Sequence, residues 1–97
     1  MKTITVQQLH ESVDVPLVDV READEYAAGH VPGAISMPMS TIADHLGELP
    51  DAPFHVICQL GGRSARVVKS LQAQGLDVTN VEGGTAAWVE QGYDVER

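Results

Sequence analysis

The stretch Cys58-Gln59-Leu60-Gly61-Gly62-Arg63-Ser64 holds the only cysteine of the chain and lies between a predicted strand and a predicted helix. It follows His55-Val56-Ile57, where β-branched residues favour a buried strand. It precedes residues 65–74, where apolar side chains recur at the spacing of an amphipathic helix. Those apolar positions are Ala65, Val68 and Leu71. The sequence therefore predicts a lone thiol on a loop between a strand and a helix.

A strand–loop–helix corner of this kind favours an anion. The first N–H groups of a helix have no partners inside it and carry a partial positive charge. Gly61 and Gly62 let the loop curl, so that more amides face inward. We therefore expect the pKa of the Cys58 thiol to lie below its free value of about 8.5. Arg63 adds either a full positive charge or a clamp that holds the loop in shape.

A simpler interpretation stands beside this one. A single cysteine after a strand is often only a small buried hydrophobic residue. The glycine pair, the Arg-Ser start of a helix and the preceding strand together favour a reactive thiolate at Cys58 instead.

Four stretches in the same order resemble the signatures of single-domain rhodaneses, the thiosulfate sulfurtransferase family. The first resemblance is the pattern Cys58-x-x-Gly61-x-Arg63-Ser64, which is similar to the family's active-site loop. The other three stretches are 17–22, 25–34 and 81–88. The resemblance extends from about Ile4 to Tyr93 and implies a rhodanese-like α/β fold of three layers.

The resemblance also implies the residues of the site. Cys58 is the expected catalytic nucleophile, and no cofactor is implied. The expected substrate-binding loop comprises Gln59, Leu60, Gly61, Gly62, Arg63 and Ser64. Some relatives that use thiosulfate carry basic residues where this chain has the neutral Gln59 and Leu60, so the natural donor stays open.

Loop length separates sulfur from phosphate chemistry. Related phosphatases have one more residue between cysteine and arginine, which widens the cradle to fit a phosphate. Here four residues lie between Cys58 and Arg63. Since backbone amides must sit at hydrogen-bonding distance from their anion, the shorter loop favours a sulfur carried on Cys58.

Asp19 and Arg21 form a second polar feature, near the carboxyl end of the predicted strand 17–20. Ligands of open parallel α/β sheets bind at this edge. The two residues are expected either to support the catalytic loop from behind or to form a structural ion pair or helix cap.

Composition bounds the remaining possibilities. With 97 residues and 43% apolar content, the chain is expected to form a single domain over residues 1–97. No apolar run approaches the roughly 20 residues of a membrane helix. The net charge of −8 argues against nucleic-acid and anionic-membrane partners. The N-terminus lacks the pattern of a signal peptide, so we expect a cytoplasmic location.

The cysteine and histidine content is equally informative. One cysteine excludes a disulfide within the chain and also a resolving thiol, so any sulfur on Cys58 must pass to a separate acceptor. The four histidines show no metal-ligand spacing, and no metal is expected.

Alternating strand and helix signals predict an α/β fold with a central, mainly parallel sheet of about five strands flanked by helices. Thr5 and Gln8 have the spacing of a capping box at the first helix. Ser40 or Thr41 is expected to cap a short helix that contains Ile42 and Leu46. Two further expectations are that Thr85 caps the last helix and that Trp88 belongs to the core.

The resemblance implies a sulfurtransferase. It would move a sulfane sulfur from a small donor, thiosulfate or a persulfide, to cyanide or a thiol, including a thiol carried on a protein. The sulfur would travel as a persulfide on Cys58. The alternative is a non-catalytic rhodanese-like module for protein interaction or regulation. Such modules often lack the cysteine, which counts against that alternative here.

Overall fold

A computed structural model describes residues 1–12 and 14–97 of the chain. Within those residues, five strands form one sheet in the order β1-β5-β4-β2-β3, and all of its pairings are parallel. The strands are β1 (Thr3–Ile4), β2 (Leu17–Asp19), β3 (Ile35–Ser36), β4 (Phe54–Ile57) and β5 (Val78–Val81). The predicted α/β fold with a central parallel sheet is confirmed.

Four α-helices connect and follow the strands in the described part of the chain. They are α1 (Val6–Glu11), α2 (Ala23–Ala28), α3 (Gly62–Ala73) and α4 (Gly84–Glu90). Helix α1 begins as predicted, because the side chains of Thr5 and Gln8 each accept the other's backbone N–H. Across residues 1–12 and 14–97, no helix combines the length and apolar character that crossing a membrane requires.

Strand side chains alternate between two apolar clusters, which gives the fold its three layers. Helix α3 packs on one face, in a cluster that includes Val18, Val56, Val68, Leu71 and Val78. Helices α1 and α4 cover the other face, in a cluster that includes Val6, Leu9, Ile57, Val81 and Trp88. The buried Trp88 confirms its predicted place in the core. Strand β4 lies between β5 and β2, so the loop after β4 is flanked by the loops after both neighbours.

The segment between β3 and β4 differs from the prediction of one capped helix. It forms two 3₁₀ turns, Ile42–Asp44 and Leu46–Glu48. Ile42 packs against the core, but Leu46 is 38% exposed. A 3₁₀ turn has three residues per turn, so residues four apart do not share a face. The Thr41 hydroxyl contacts the Pro38 carbonyl oxygen at 3.4 Å instead of a helix amide.

Candidate active site

Cys58 directly follows β4, and α3 begins four residues later at Gly62. Its side chain is buried at the base of the loop between these elements. Gly61 has φ of +106°, in the left-handed region that favours glycine, and its N–H donates to Cys58 Sγ at 3.1 Å. The loop therefore curls back on its own cysteine, as the glycine pair predicted.

Ser64 supplies a second donor to the sulfur. It lies on the first turn of α3, is fully buried, and its hydroxyl is 3.2 Å from Cys58 Sγ. Burial of the sulfur opposes ionisation, but hydrogen bonds from the Ser64 hydroxyl and from the amides of Ser64, Gly61 and Leu60 outweigh it. The pKa of the Cys58 thiol consequently lies below its ordinary value. A purely hydrophobic cysteine would show the opposite shift.

The Arg63 side chain pairs with Glu25 of α2. Its guanidinium donates two parallel hydrogen bonds to the Glu25 carboxylate, at 2.7 and 2.9 Å. Hydrogen bonding by Arg63 lowers the pKa of Glu25 to about 2, and the same bond raises the pKa of Arg63. Of the two expected contributions of Arg63, this geometry favours the clamp, because its charge is largely offset by Glu25.

Asp19 and Arg21 form a buried ion pair behind the loop. The Arg21 guanidinium donates to both Asp19 carboxylate oxygens, at 2.9 to 3.2 Å. The same guanidinium donates to Gln59 Oε1 at 3.2 Å and to the Gly29 carbonyl oxygen at 2.8 Å. Arg21 thus bonds both its buried partner Asp19 and the loop residue Gln59.

The turn between β5 and α4 packs against the other side of the loop. The backbone N–H of Thr85 donates to the Cys58 carbonyl oxygen at 2.9 Å, and its hydroxyl does so at 3.2 Å. Gly83, with φ of +77°, occupies the N-cap position of α4. The prediction that Thr85 caps this helix is therefore wrong, because its hydroxyl donates to the Cys58 carbonyl oxygen instead.

A family model described as Rhodanese-like domain matches residues 4–91. The chain belongs to the rhodanese-like domain family. It is 36% identical over 91 residues to a protein of Allochromatium vinosum named sulfurtransferase, with 92% of this chain and 85% of the relative covered. It is 33% identical over 85 residues to a Shewanella oneidensis protein named thiosulfate sulfurtransferase GlpE, with 86% and 84% covered. The crystal structure of a rhodanese-related protein from Thermoplasma volcanium is also similar, with a TM-score of 0.94, 35% identity and coverage of 99% and 98%.

The family resemblance predicted from four sequence motifs is thereby confirmed. In this rhodanese-like chain the six residues after Cys58 differ in their exposure to solvent. Leu60 is 73% exposed at the tip of the loop, and Gly62 is also exposed. Gln59 is half-buried, with its amide oxygen held by Arg21. The mouth of the loop thus carries an amide and an apolar side chain. Among residues 1–12 and 14–97, no three His, Cys, Asp or Glu side chains cluster as metal ligands would.

Three residues that contact the rhodanese-like loop were missed by sequence reasoning. Glu25 pairs with Arg63, Thr85 holds the Cys58 carbonyl, and Asn80 donates from Nδ2 to the Gly61 carbonyl oxygen at 3.3 Å. Of these, only Asn80 carried a signal. Asparagine is depleted in strands, so its place among the β-branched residues of β5 marks it as unusual.

Proposed function

We propose that the chain is a sulfurtransferase that carries a sulfane sulfur as a persulfide on Cys58. The observation that carries this proposal is the sulfur's own environment. Cys58 Sγ accepts hydrogen bonds from the Gly61 N–H and the Ser64 hydroxyl, in a loop that favours a negatively charged sulfur. Membership of the rhodanese-like family and the sulfurtransferase names of its relatives support the same chemistry.

In the first step the Cys58 thiolate attacks the outer sulfur of the donor. A bond forms between Cys58 Sγ and that sulfur while the donor's own sulfur–sulfur bond breaks. The electron pair of the broken bond leaves with sulfite when thiosulfate is the donor, or with a thiolate when a persulfide is the donor. Cys58 is left as a persulfide anion, and the loop amides stabilise its negative charge as an oxyanion hole stabilises oxygen.

In the second step a thiophilic acceptor attacks the outer sulfur of the Cys58 persulfide. The persulfide bond breaks, and its electron pair returns to Cys58 Sγ as a thiolate. Cyanide leaves as thiocyanate, and a thiolate acceptor leaves as a persulfide. The acceptor must be a separate molecule because Cys58 is the chain's only cysteine. That acceptor can be a thiol carried on a partner protein.

The remaining loop residues are proposed to hold this geometry. The Arg63–Glu25 pair ties the helix end of the loop to α2, and Arg21, oriented by Asp19, holds Gln59. A free cysteine that cannot form a disulfide within the chain suits a reducing compartment. A cytoplasmic location is therefore part of this proposal.

Turnover with cyanide tests the proposed function. Wild-type protein is incubated with cyanide and either thiosulfate or glutathione persulfide, and thiocyanate is measured. Cys58→Ser is the matched control, because it keeps a small polar side chain but removes the sulfur. We expect catalysed thiocyanate formation from at least one donor and none in the variant. Catalysis by a folded Cys58→Ser variant would contradict the mechanism, and inactivity of the wild type with both donors would favour the interaction-module alternative.

A further inference from the structure

The carbonyl oxygen of Gly61 has more hydrogen-bond donors than it can accept. The Ala65 N–H lies 3.2 Å away, the Ser64 hydroxyl oxygen 3.2 Å and the Asn80 Nδ2 3.3 Å. A carbonyl oxygen has two lone pairs. One of the three donors is therefore surplus at this oxygen.

The Ser64 hydroxyl is the donor with an alternative acceptor. The Ser64 hydroxyl has one proton, and two acceptors lie at the same distance of 3.2 Å, Cys58 Sγ and the Gly61 oxygen. The Ala65 N–H is fixed as the first hydrogen bond of α3 and fills one lone pair. Which acceptor receives the Ser64 proton thus depends on whether another donor fills the second lone pair.

Asn80 is placed to be that donor. It lies on β5 opposite Val56 of β4 and is only 5% exposed, so its amide is shielded from competing water. In the described part of the chain, the Asn80 Oδ1 has no hydrogen-bond partner. A buried amide with an unpaired oxygen is costly, and turning the amide over would set that oxygen against the Gly61 carbonyl. The amide is thus held with its N–H groups toward the loop.

We propose that Asn80 is a positioning residue that directs the single Ser64 proton to Cys58 Sγ, by filling the second lone pair of the Gly61 carbonyl oxygen. This inference rests on the proposed function, since it concerns how the nucleophilic thiolate is stabilised. Asn80 itself does not touch the sulfur. Its effect passes through Ser64, and the effect must disappear when the Ser64 hydroxyl is absent.

A double-mutant cycle tests this dependence. The apparent pKa of the only cysteine is obtained from its rate of alkylation by iodoacetamide as a function of pH, in wild type, Asn80→Leu, Ser64→Ala and the double variant. Leucine is close to asparagine in size and has no donor. We expect Ser64→Ala to raise the pKa of the Cys58 thiol by about one unit, and Asn80→Leu to raise it by about half a unit. Asn80→Leu should add nothing further in the Ser64→Ala background.

Equal effects of Asn80→Leu in the two backgrounds, or no effect in either, would overturn the proposal. Thr79→Val is the matched control, because it changes the neighbouring β5 side chain on the opposite face and should leave the thiol pKa unchanged. If Asn80→Leu fails to fold by thermal unfolding, Asn80→Ala removes the same donor and replaces it in the cycle.

The outcome is separable from that of the proposed function. Persulfide formation by the wild type tests sulfur transfer, whereas the cycle tests only the source of thiolate stabilisation. A wild type that carries sulfur but shows no coupling between Asn80 and Ser64 would overturn this inference alone. A coupled pair in a protein that takes no sulfur from thiosulfate or glutathione persulfide would uphold the positioning role and overturn the sulfurtransferase proposal.

Discussion

Thr85 donates two hydrogen bonds to the carbonyl oxygen of Cys58, one from its backbone N–H and one from its hydroxyl. The next amide, of Ala86, donates to the Gln59 carbonyl oxygen at 3.0 Å. Because the C=O and N–H of a trans peptide point in opposite directions, these bonds turn the N–H groups of Gln59 and Leu60 away from α4. The Leu60 amide is among those that stabilise the sulfur anion. The start of α4 therefore orients the loop that surrounds Cys58.

Gly84 should tolerate no side chain at this contact. A Cβ there would lie 2.4 Å from the Cys58 carbonyl oxygen and 2.5 Å from that of Gln59. We expect Gly84→Ala to lower the free energy of unfolding by about 3 kcal/mol or more, measured by urea denaturation. Gly92→Ala is the control, because Gly92 has a similar positive φ of +80° but open space around its Cβ position. Its loss should be only about 1 kcal/mol. Equal losses would contradict the packing role of Gly84.

Removing one partner of the buried Asp19–Arg21 pair should destabilise the fold more than removing both. Arg21→Met leaves a buried carboxylate without its cation, and we expect a loss of about 3–5 kcal/mol in the free energy of unfolding. Asp19→Leu combined with Arg21→Met removes both charges and should recover part of that loss. Urea denaturation of the two variants gives the comparison. A double variant no more stable than Arg21→Met would show that the unpaired charge is not the cause.

Replacing Arg63 and replacing Glu25 should shift the pKa of the Cys58 thiol in opposite directions. Arg63→Gln leaves the Glu25 carboxylate unpaired near the loop, which should raise the pKa of the Cys58 thiol. Glu25→Gln leaves the Arg63 charge unopposed, which should lower it. Because both side chains are partly exposed, solvent screening should keep each change below about one unit. Alkylation rates as a function of pH measure both. Shifts of the same sign would mean that the pair acts only by holding the loop in shape.

Protonation of the half-buried His55 should make the fold less stable in mild acid. Burial, with a smaller contribution from Lys2, lowers the pKa of His55 in the folded state. Its contribution to stability is therefore complete above the unfolded value of about 6.5 and is lost as the pH falls toward the folded value. We expect the free energy of unfolding to decrease between about pH 7.5 and pH 5.5, and to decrease less in His55→Gln. The same decrease in both proteins would assign the effect to other groups.

The features that sequence predicted correctly depend on residues close together in the chain. The curled loop at Cys58 and the capping box of Thr5 and Gln8 are set by neighbours within a few positions. The alternation of strand and helix signals was sufficient for a parallel sheet, since parallel neighbours need a crossover connection between them. The local pattern failed at Ile42 and Leu46. Their spacing of four residues suggested one α-helix, but the segment forms two 3₁₀ turns.

The features that sequence missed depend on the order of the strands. Thr85 reaches Cys58 across 27 positions, Asn80 reaches Gly61 across 19, and Glu25 reaches Arg63 across 38. Each contact exists because β4 lies between β5 and β2, which brings β5 and the helices after β2 and β5 beside the loop at Cys58. A single sequence does not reveal that order, so the residues around the loop could not be assigned from spacing alone.

The intact mass of the protein shows whether Cys58 takes up a transferred sulfane sulfur. Reduced wild-type protein and Cys58→Ser are weighed before and after brief treatment with thiosulfate, and in parallel with glutathione persulfide. We expect the wild type to gain the mass of one sulfur atom, cyanide to remove it, and Cys58→Ser to gain none. A wild type that gains no sulfur from either donor, or a Cys58→Ser variant that gains the same sulfur, would rule out a persulfide carried on Cys58.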